Sequence, residues 1–137
     1  MQSAIFLDTN ILIYAAAGTK NEPRKRAISA ELFRHPEAAI SAQVMAEFFW
    51  NVVKKKYLDI ATAARWLDTL SMMPCVEVDA SLVLQSAALS RRYQISYWDA
   101  ALIAACKRCG AETLYTEDLS HGQLYEGVRV INPFREH

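Results

Sequence analysis

The sequence predicts an α/β fold in which a mostly parallel central sheet of about five short strands carries helices on both faces. Short apolar runs alternate along the chain with longer stretches of helical periodicity. A connection between two parallel strands needs about a dozen residues or more and is usually a helix. These helices then cover the faces of the sheet. The chain has 137 residues, which suits one domain, 1–137, that buries roughly two-thirds of the surface of its unfolded chain.

The strands are recognised by short apolar or alternating runs. They are expected at residues 4–7, 38–41, 76–78, 113–115 and 128–131. The first, Ala-Ile-Phe-Leu, is continuously apolar, which is typical of a strand buried on both faces. The last should end before Asn132-Pro133, because Pro133 has no N–H for the hydrogen bonds of the sheet.

Helices are expected between the strands: a short one through Tyr14, and longer ones at 22–34, 42–53, 60–72, 81–93 and 97–109. Pro23 suits the first turn of the second helix, where its missing N–H is not needed. In the third helix, Val44, Phe48 and Val52 recur every four residues and predict a buried stripe. Gly110 follows the last helix, where a residue of left-handed conformation commonly ends one.

The composition is that of a globular protein and leaves the class of partner open. Hydrophobic residues make up 53% of the chain, and 15 basic residues balance 15 acidic ones. We expect a cytoplasmic protein, since no apolar run is long enough to span a membrane and the N-terminus lacks the layout of a signal peptide. Basic residues cluster at 20–26, 54–56, 91–92 and 107–108. Such clusters are usually solvated faces, but they could also flank an acidic pocket.

Two acids come after strands. Asp8 comes after the first strand and Asp118 comes shortly after the fourth. Open α/β sheets bind ligands at the carboxyl ends of their strands. Asp8 could instead simply cap the helix that follows it. Glu117, beside Asp118, should point elsewhere if the backbone there is extended.

Two further acids are expected on helices. Glu47 lies beside the apolar stripe of the third helix, where a charge is costly unless it is paired or bound to a cation. A salt bridge to an arginine would be the ordinary explanation. Asp99 lies early in the last helix, and Ser96-x-x-Asp99 also matches a capping box.

Four acids from four separate segments suggest one site. Carboxylates held close together repel and raise one another's pKa, so a fold that gathers them needs a cation. A site built from oxygen ligands alone suits a hard ion, Mg²⁺ or Mn²⁺, which keeps waters and bridges to substrate phosphates. The residues are Asp8, Glu47, Asp99 and Asp118.

These acids stand in motifs whose order and spacing resemble a PIN domain, in particular the VapC-type toxins of bacterial toxin–antitoxin pairs. The likeness runs from the first strand to the closing Ile-Asn-Pro-Phe. Each motif alone is weak, and the ordered set is specific. The segments that carry the resemblance are Asp8-Thr9-Asn10, Ala46-Glu47-Phe48, Ile95 to Ala105, and Leu114 to Leu119.

The resemblance implies a Mg²⁺- or Mn²⁺-dependent ribonuclease whose catalytic quartet is Asp8, Glu47, Asp99 and Asp118. Asp8 and Asp99 would ligate the metal directly, and the other two acids would ligate it or orient the attacking water. Hydrolysis would leave a 5′-phosphate and a 3′-hydroxyl. Many relatives carry another acid or a Phe shortly after the last Asp, where this chain has Leu-Ser-His at 119–121, a departure that bears on Asp118. The implied polar neighbours are Asn10, Ser41 and Thr116.

The resemblance also implies partners. Relatives form homodimers and are commonly held inactive by a small antitoxin that offers a basic side chain to the acidic pocket. We therefore expect an RNA substrate, a cognate antitoxin and a homodimer. An excess of aromatic residues also favours the dimer: Phe48, Phe49, Trp50 and Trp66.

Two other functional classes remain open. A phosphohydrolase of the HAD kind also places an Asp after its first strand, but it needs a second Asp two residues later, where this chain has Asn10. A PIN-like binding module without activity would have lost an acid, and no acid of the quartet is missing here.

Some conspicuous residues are expected to be structural. Cys106 and Cys109 form a CxxC pair late in a helix without a second pair, so we interpret them as small buried hydrophobes. The tryptophans at 50, 66 and 98 could stack on bases, but aromatics in helices more often belong to a core or an interface.

Overall fold

The computed structural model describes residues 2–17 and 22–135. Within these ranges the strands are β1 (Ile5–Leu7), β2 (Ala38–Ser41), β3 (Cys75–Val76), β4 (Thr113–Tyr115), β5 (Leu124–Tyr125) and β6 (Val128–Ile131). They form one sheet in the order β3-β2-β1-β4-β6-β5. The pairs are parallel except β5 with β6, which is antiparallel. The predicted fold class is therefore confirmed.

The helices are α1 (Thr9–Ala16), α2 (Pro23–Phe33), α3 (Ala42–Lys54), α4 (Ile60–Leu70), α5 (Ala80–Tyr93) and α6 (Tyr97–Cys109). The chain moves outward from β1 to β2 and β3 through α1–α4, and α5 and α6 bring it back to β4. Because such crossovers are right-handed, the reversal puts α5 and α6 on the other face of the sheet. The packing agrees: α1 contacts α2 and α3, α3 contacts α4, and α5 contacts α6.

One strand was missed and one was misplaced by the sequence prediction. β5 is only two residues long, too short to show an alternating pattern, and it pairs with β6 through a turn at Glu126 and Gly127. Both turn residues have positive φ angles, 50° and 85°, as a two-residue hairpin turn requires. β3 covers residues 75–76 and not the expected 76–78. α4 ends at Leu70, two residues before the expected end at Met72.

The core lies on both sides of the short central strands. Every residue of β1 and β2 is buried, as the apolar run at 5–7 predicted. The stripe of α3 packs inward, with Val44, Phe48 and Val52 fully buried. Most of α6 is buried as well, including Cys106 and Cys109, which are free thiols. The structural interpretation of this cysteine pair is thus confirmed.

Two of the candidate site residues lie where the chain reverses the order in which it adds strands to the sheet. β1 lies between β2 and β4, so the connections after β1 and before β4 cover opposite faces of the sheet. A crevice opens at the carboxyl ends of neighbouring strands at such a switch point. Asp8 follows β1 there, and Thr116 follows β4. In the part of the chain described here, no helix has the length and apolarity needed to cross a membrane.

Candidate active site

Asp8 is held at the end of β1 by two hydrogen bonds. Its Oδ1 accepts from the Thr9 N–H at 2.6 Å, and its Oδ2 accepts from the Thr116 hydroxyl at 2.7 Å. It is the N-cap residue of α1. The capping role and the position at the sheet edge, weighed above as alternatives, are therefore combined in one side chain.

Burial changes the acidity of Asp8. Its exposed fraction is only 6%, and desolvation raises its pKa from 3.8 to about 6. The hydrogen bonds from Thr116 and Thr9 act in the opposite direction, while the charges of Asp118 and Glu47 raise the pKa further. A shift of this size means that ionising Asp8 costs the folded protein about 3 kcal/mol relative to the unfolded chain.

Glu47 is fixed by neutral donors. This half-buried residue of α3 accepts from the Thr9 hydroxyl at 3.3 Å through Oε2 and from Gln43 Nε2 at 2.8 Å through Oε1. The ion pairs of the described residues do not include Glu47, so the arginine salt bridge considered for it is not found there. Its negative charge remains available to the crevice.

Asp99 lies in the first turn of α6. Its N–H donates to Ser96 Oγ at 3.1 Å, which confirms the serine half of the predicted capping box, while the hydrogen bonds of the described residues do not include a return bond from the Ser96 N–H to the Asp99 carboxylate. The backbone makes the bond to Ser96 Oγ, so the carboxylate is left free to face the crevice. Its charge contributes to raising the pKa of Asp118.

Asp118, the fourth acid, lies three residues after the end of β4. Its N–H donates to the Thr116 hydroxyl oxygen at 3.1 Å, and Asn10 Nδ2 donates to its Oδ2 at 3.4 Å. Its pKa is raised, first by partial desolvation and then by the charges of Glu117, Asp99 and Glu47. Glu117 points away as expected, since it accepts from the Tyr14 hydroxyl at 2.7 Å and pairs with Lys25 at 3.0 Å.

The four acids line one small cavity of about 100 Å³. Its lining residues are Asp8, Gln43, Glu47, Trp98, Asp99, Leu102 and Asp118. Two of the three expected polar neighbours, Asn10 and Thr116, hold these acids in place. Ser41 does not: its Oγ accepts from the Val44 N–H and caps α3.

Three residues of the site were not anticipated. Gln43 lies four residues before Glu47, and this helical spacing could have identified it. Thr9 gave no separate signal, because its bond to Glu47 joins two elements far apart in sequence. Trp98 was expected in a core or an interface; it lies at the cavity and is 62% exposed, which excludes the core.

The donor set suits a hard divalent ion. Within the described ranges, no three His, Cys, Asp or Glu side chains are close enough together to hold a metal by themselves. Mg²⁺ does not need such a cage, because it is usually bound by one or two carboxylates, several waters and substrate phosphates. The four carboxylates of the lining fit this kind of binding, and among the described residues Glu47 and Asp99 form no ion pair.

The basic clusters are partly used in structural contacts. Lys25 pairs with Glu117, and Arg108 pairs with Asp79 at 2.9 Å. Arg92 and Lys107 both contact Glu126. Lys20, in the first cluster, lies outside the described residues.

Comparison with known proteins finds a matching family model and several similar solved structures. A family model described as PIN domain matches residues 5–126. A toxin–antitoxin complex from Klebsiella pneumoniae contains a similar chain, with 25% identity and a TM-score of 0.72, covering 98% of this chain and 100% of that one. VapC20 of Mycobacterium tuberculosis, a sarcin–ricin loop cleaving toxin, has 23% identity and a TM-score of 0.66, with 84% of this chain and 90% of that one covered.

A third similar structure is VapBC2 of Rickettsia felis bound to a DNA fragment from its promoter. It has 22% identity and a TM-score of 0.64, and the match covers 93% of this chain and 96% of that one. The comparison with curated proteins finds no match.

The raised pKa of Asp8 makes stability depend on pH. A carboxyl whose folded pKa lies near 6 stabilises the protein fully below its unfolded value of 3.8, and this contribution is lost as the pH rises through 6. In chelator, Asp8→Asn should therefore match the wild type near pH 4 and exceed it by up to about 3 kcal/mol above pH 7. Urea unfolding at several pH values measures the difference.

Asp59→Asn is the matched control for this experiment. Asp59 caps α4 through the Thr62 N–H but is exposed, and its pKa is lowered, first by that backbone hydrogen bond. Replacing it should not stabilise the protein at neutral pH. A wild type that is as stable as Asp8→Asn above pH 7 would contradict the strained state of Asp8.

Proposed function

The chain belongs to the PIN domain family, and from this premise we propose that it is a Mg²⁺- or Mn²⁺-dependent ribonuclease that hydrolyses RNA phosphodiester bonds as the toxin of a toxin–antitoxin pair. The observation that carries the proposal is the single cavity lined by Asp8, Glu47, Asp99 and Asp118. The family match supports a nuclease. The carboxylate oxygens of the lining, without His or Cys ligands, support a hard metal as its cofactor.

Each acid has a role that its contacts allow. Asp8 and Asp99 would hold the ion, Asp8 from a fixed position given by Thr116 and the Thr9 N–H. Glu47 and Asp118 would complete the site or hold the attacking water by hydrogen bonds. A bound Mg²⁺ or Mn²⁺ supplies Lewis acidity that polarises the phosphoryl group and eases deprotonation of water.

The neutral donors around the acids set the geometry. Gln43 and Thr9 keep Glu47 turned toward the cavity, and Asn10 does the same for Asp118. Such supporting bonds orient ligands at metal sites, and their loss typically lowers metal affinity or activity 10- to 100-fold. In the hydrolysis, the water oxygen forms a bond to phosphorus while the bond to the 3′-oxygen breaks, which leaves a 5′-phosphate and a 3′-hydroxyl.

The preference for RNA comes from the relatives. VapC20 is described as a sarcin–ricin loop cleaving toxin, and we extend the RNA class, without its target sequence, to this chain. A HAD-like phosphohydrolase is disfavoured because Asn10, at the position where that class needs an Asp, donates to Asp118. A non-catalytic module is disfavoured because all four acids line the cavity.

A cognate antitoxin is the proposed protein partner. The similar structures include a toxin–antitoxin complex and VapBC2, which supports this partner class. In relatives the antitoxin offers a basic side chain to the acidic pocket, and the negative cavity of this chain would accept one. The antitoxin would then occupy the position of the metal and substrate.

Activity should depend on the metal and on Asp8. We expect the purified chain to cleave single-stranded RNA with Mg²⁺ or Mn²⁺, and to cleave single-stranded DNA of the same sequence more slowly. Asp8→Asn should abolish the cleavage, because its amide cannot replace a carboxylate ligand. Gel assays with and without chelator test this, and Asp59→Asn should keep full activity. Cleavage of DNA at an equal or higher rate would contradict the RNA assignment.

Metal should reverse the stability order of wild type and Asp8→Asn. The wild type should gain stability by mass action, about 2.7 kcal/mol when the free ion is at a hundredfold excess over its dissociation constant. The variant should gain much less, so the melting temperatures of the two proteins should cross as Mg²⁺ or Mn²⁺ is added. Melting curves that stay in the same order at every metal concentration would argue that Asp8 is only a helix cap.

Most of the aromatic residues that suggested a homodimer pack inside the chain. Of the aromatic residues that suggested it, Phe48 is fully buried and Trp66 packs against Phe33 and Phe48. Phe49 is partly buried against the core, and Trp50 is exposed. The dimer therefore rests on the family resemblance, and light scattering at micromolar concentration should give twice the chain mass. A monomer mass would rule it out.

A further inference from the structure

Trp98 stands at the mouth of the acid cavity with most of its indole exposed. It precedes Asp99 in the first turn of α6, and its exposed fraction is 62%. Tyr97 packs edge-on against it, with ring centroids 5.0 Å apart at 87°. The indole lines the acid cavity and also a wider recess of about 550 Å³ next to it, which is bounded by Gln43, Ala46 and Glu47.

A second exposed tryptophan continues from this recess along α3. Gln43, Glu47, Trp50 and Lys54 are spaced by four, three and four residues, so they share one face of the helix. We call these four residues the α3 stripe. Trp50 is 64% exposed, and Lys54 Nζ lies 5.6 Å from the centroid of its ring.

The dimensions of the stripe suit a short piece of single-stranded nucleic acid. Lys54 is seven residues beyond Glu47, which places it about 10 Å farther along the helix axis. That distance corresponds to roughly three stacked nucleotides at 3.4 Å each. A strand whose phosphate lies in the acid cavity can therefore reach both tryptophans and the lysine.

We propose that Trp98 and the α3 stripe form the track that binds single-stranded RNA beside the bond to be cut. Bases stack on the faces of Trp98 and Trp50, and Lys54 neutralises a phosphate of the same strand. This assignment rests on the proposed function, because the acid cavity marks where the bond is cleaved. It adds which residues hold the substrate and that the strand lies along α3 from the acid cavity to Lys54.

The chemistry of the stripe favours RNA over a second protein chain. Protein interfaces are depleted of Lys and Glu at their cores, yet here both alternate with Trp50 along one helix face. Aromatic faces combined with positive charge are the usual means of binding single strands without reading their sequence. The lysines at 54–56 also provide a positive field next to a negative cavity, which attracts the phosphates that a bound ion would then engage.

RNA affinity measured without cleavage tests the track. Binding of a short fluorescein-labelled oligoribonucleotide to the Asp8→Asn protein is followed by fluorescence anisotropy in Mg²⁺. Adding Trp98→Ala or Trp50→Ala should weaken binding roughly tenfold each, since a stacked base is worth about 1–3 kcal/mol. Trp98→Phe should recover much of the loss. Leu84→Ala, which removes a 72% exposed apolar side chain from α5, is the matched control and should change nothing.

The role of Lys54 is tested by salt dependence. Lys54→Gln should reduce the slope of log affinity against log salt by about 0.7, the value for one phosphate contact on a single strand. Lys54→Arg keeps the charge and should keep the slope. An unchanged slope in Lys54→Gln would remove the lysine from the track.

The outcomes separate this inference from the proposed function. If the wild type fails to cleave RNA but binds it, and binding weakens in both tryptophan variants, the nuclease proposal fails and the track stands as an RNA-binding surface only. If RNA is cleaved while both tryptophan variants bind it as tightly as their parent, the track is overturned. It is also overturned if RNA does not bind, or if light scattering shows that Trp50→Ala turns a dimer into a monomer with RNA affinity unchanged.

Discussion

The hydroxyl group of Thr116 ties the site together. It is fully buried, donates to Asp8 Oδ2 and accepts from the Asp118 N–H. One oxygen atom therefore sets the positions of two acids that come from the ends of two neighbouring strands, β1 and β4. Because these strands are paired in register, with Leu7 opposite Tyr115, the sheet itself determines the spacing of the carboxylates.

Holding acids this close together works against stability, and the fold limits the damage. Asp8 lies at the N-terminus of α1 and Asp99 in the first turn of α6, where the positive ends of the helix dipoles stabilise negative charge. Glu117, the acid nearest in sequence to Asp118, is paired with Lys25 outside the cavity. Even so, the pKa of Asp8 is raised to about 6, chiefly because the side chain is buried and to a smaller extent by the charges of Asp118 and Glu47. A bound cation would relieve this cost, so the proposed metal site would gain affinity from the same charges that destabilise the metal-free protein.

The two helices beside the cavity, α3 and α6, each carry an acid of the site and an exposed tryptophan. α3 buries one face in the core through Val44, Phe48 and Val52 and presents Glu47 and Trp50 on another. α6 is buried along most of its length, but its first turn exposes Trp98 beside Asp99. Rigid packing of both helices therefore places acidic and aromatic groups side by side. This arrangement would join the proposed cleavage site to the proposed RNA-binding track.

Much of this protein is determined by local sequence patterns. The apolar runs at 5–7 and 38–41 and the spacing of Val44, Phe48 and Val52 predicted strands and a helix that the structure confirms. Asp8 and Asp118 were identifiable because they follow strands, whose carboxyl ends meet at one edge of a parallel sheet. Glu47 was identifiable because a charge lies beside the apolar stripe of α3. These features depend on residues close together in the chain, and periodicity reports on them directly.

Other features of the structure depend on contacts between residues that are far apart in the chain. The hydrogen bond from Thr9 to Glu47 and the hydrogen bond from Thr116 to Asp8 join residues far apart in the chain. No local sequence pattern predicts them. Whether a tryptophan is buried is decided the same way: Trp66 packs on Phe33, while Trp50 and Trp98, with similar local patterns, remain exposed. β5 exists only because β6 offers it an edge to pair with. Tertiary structure decides these points because hydrogen bonding and burial are properties of pairs of surfaces, and a chain read residue by residue shows only one member of each pair.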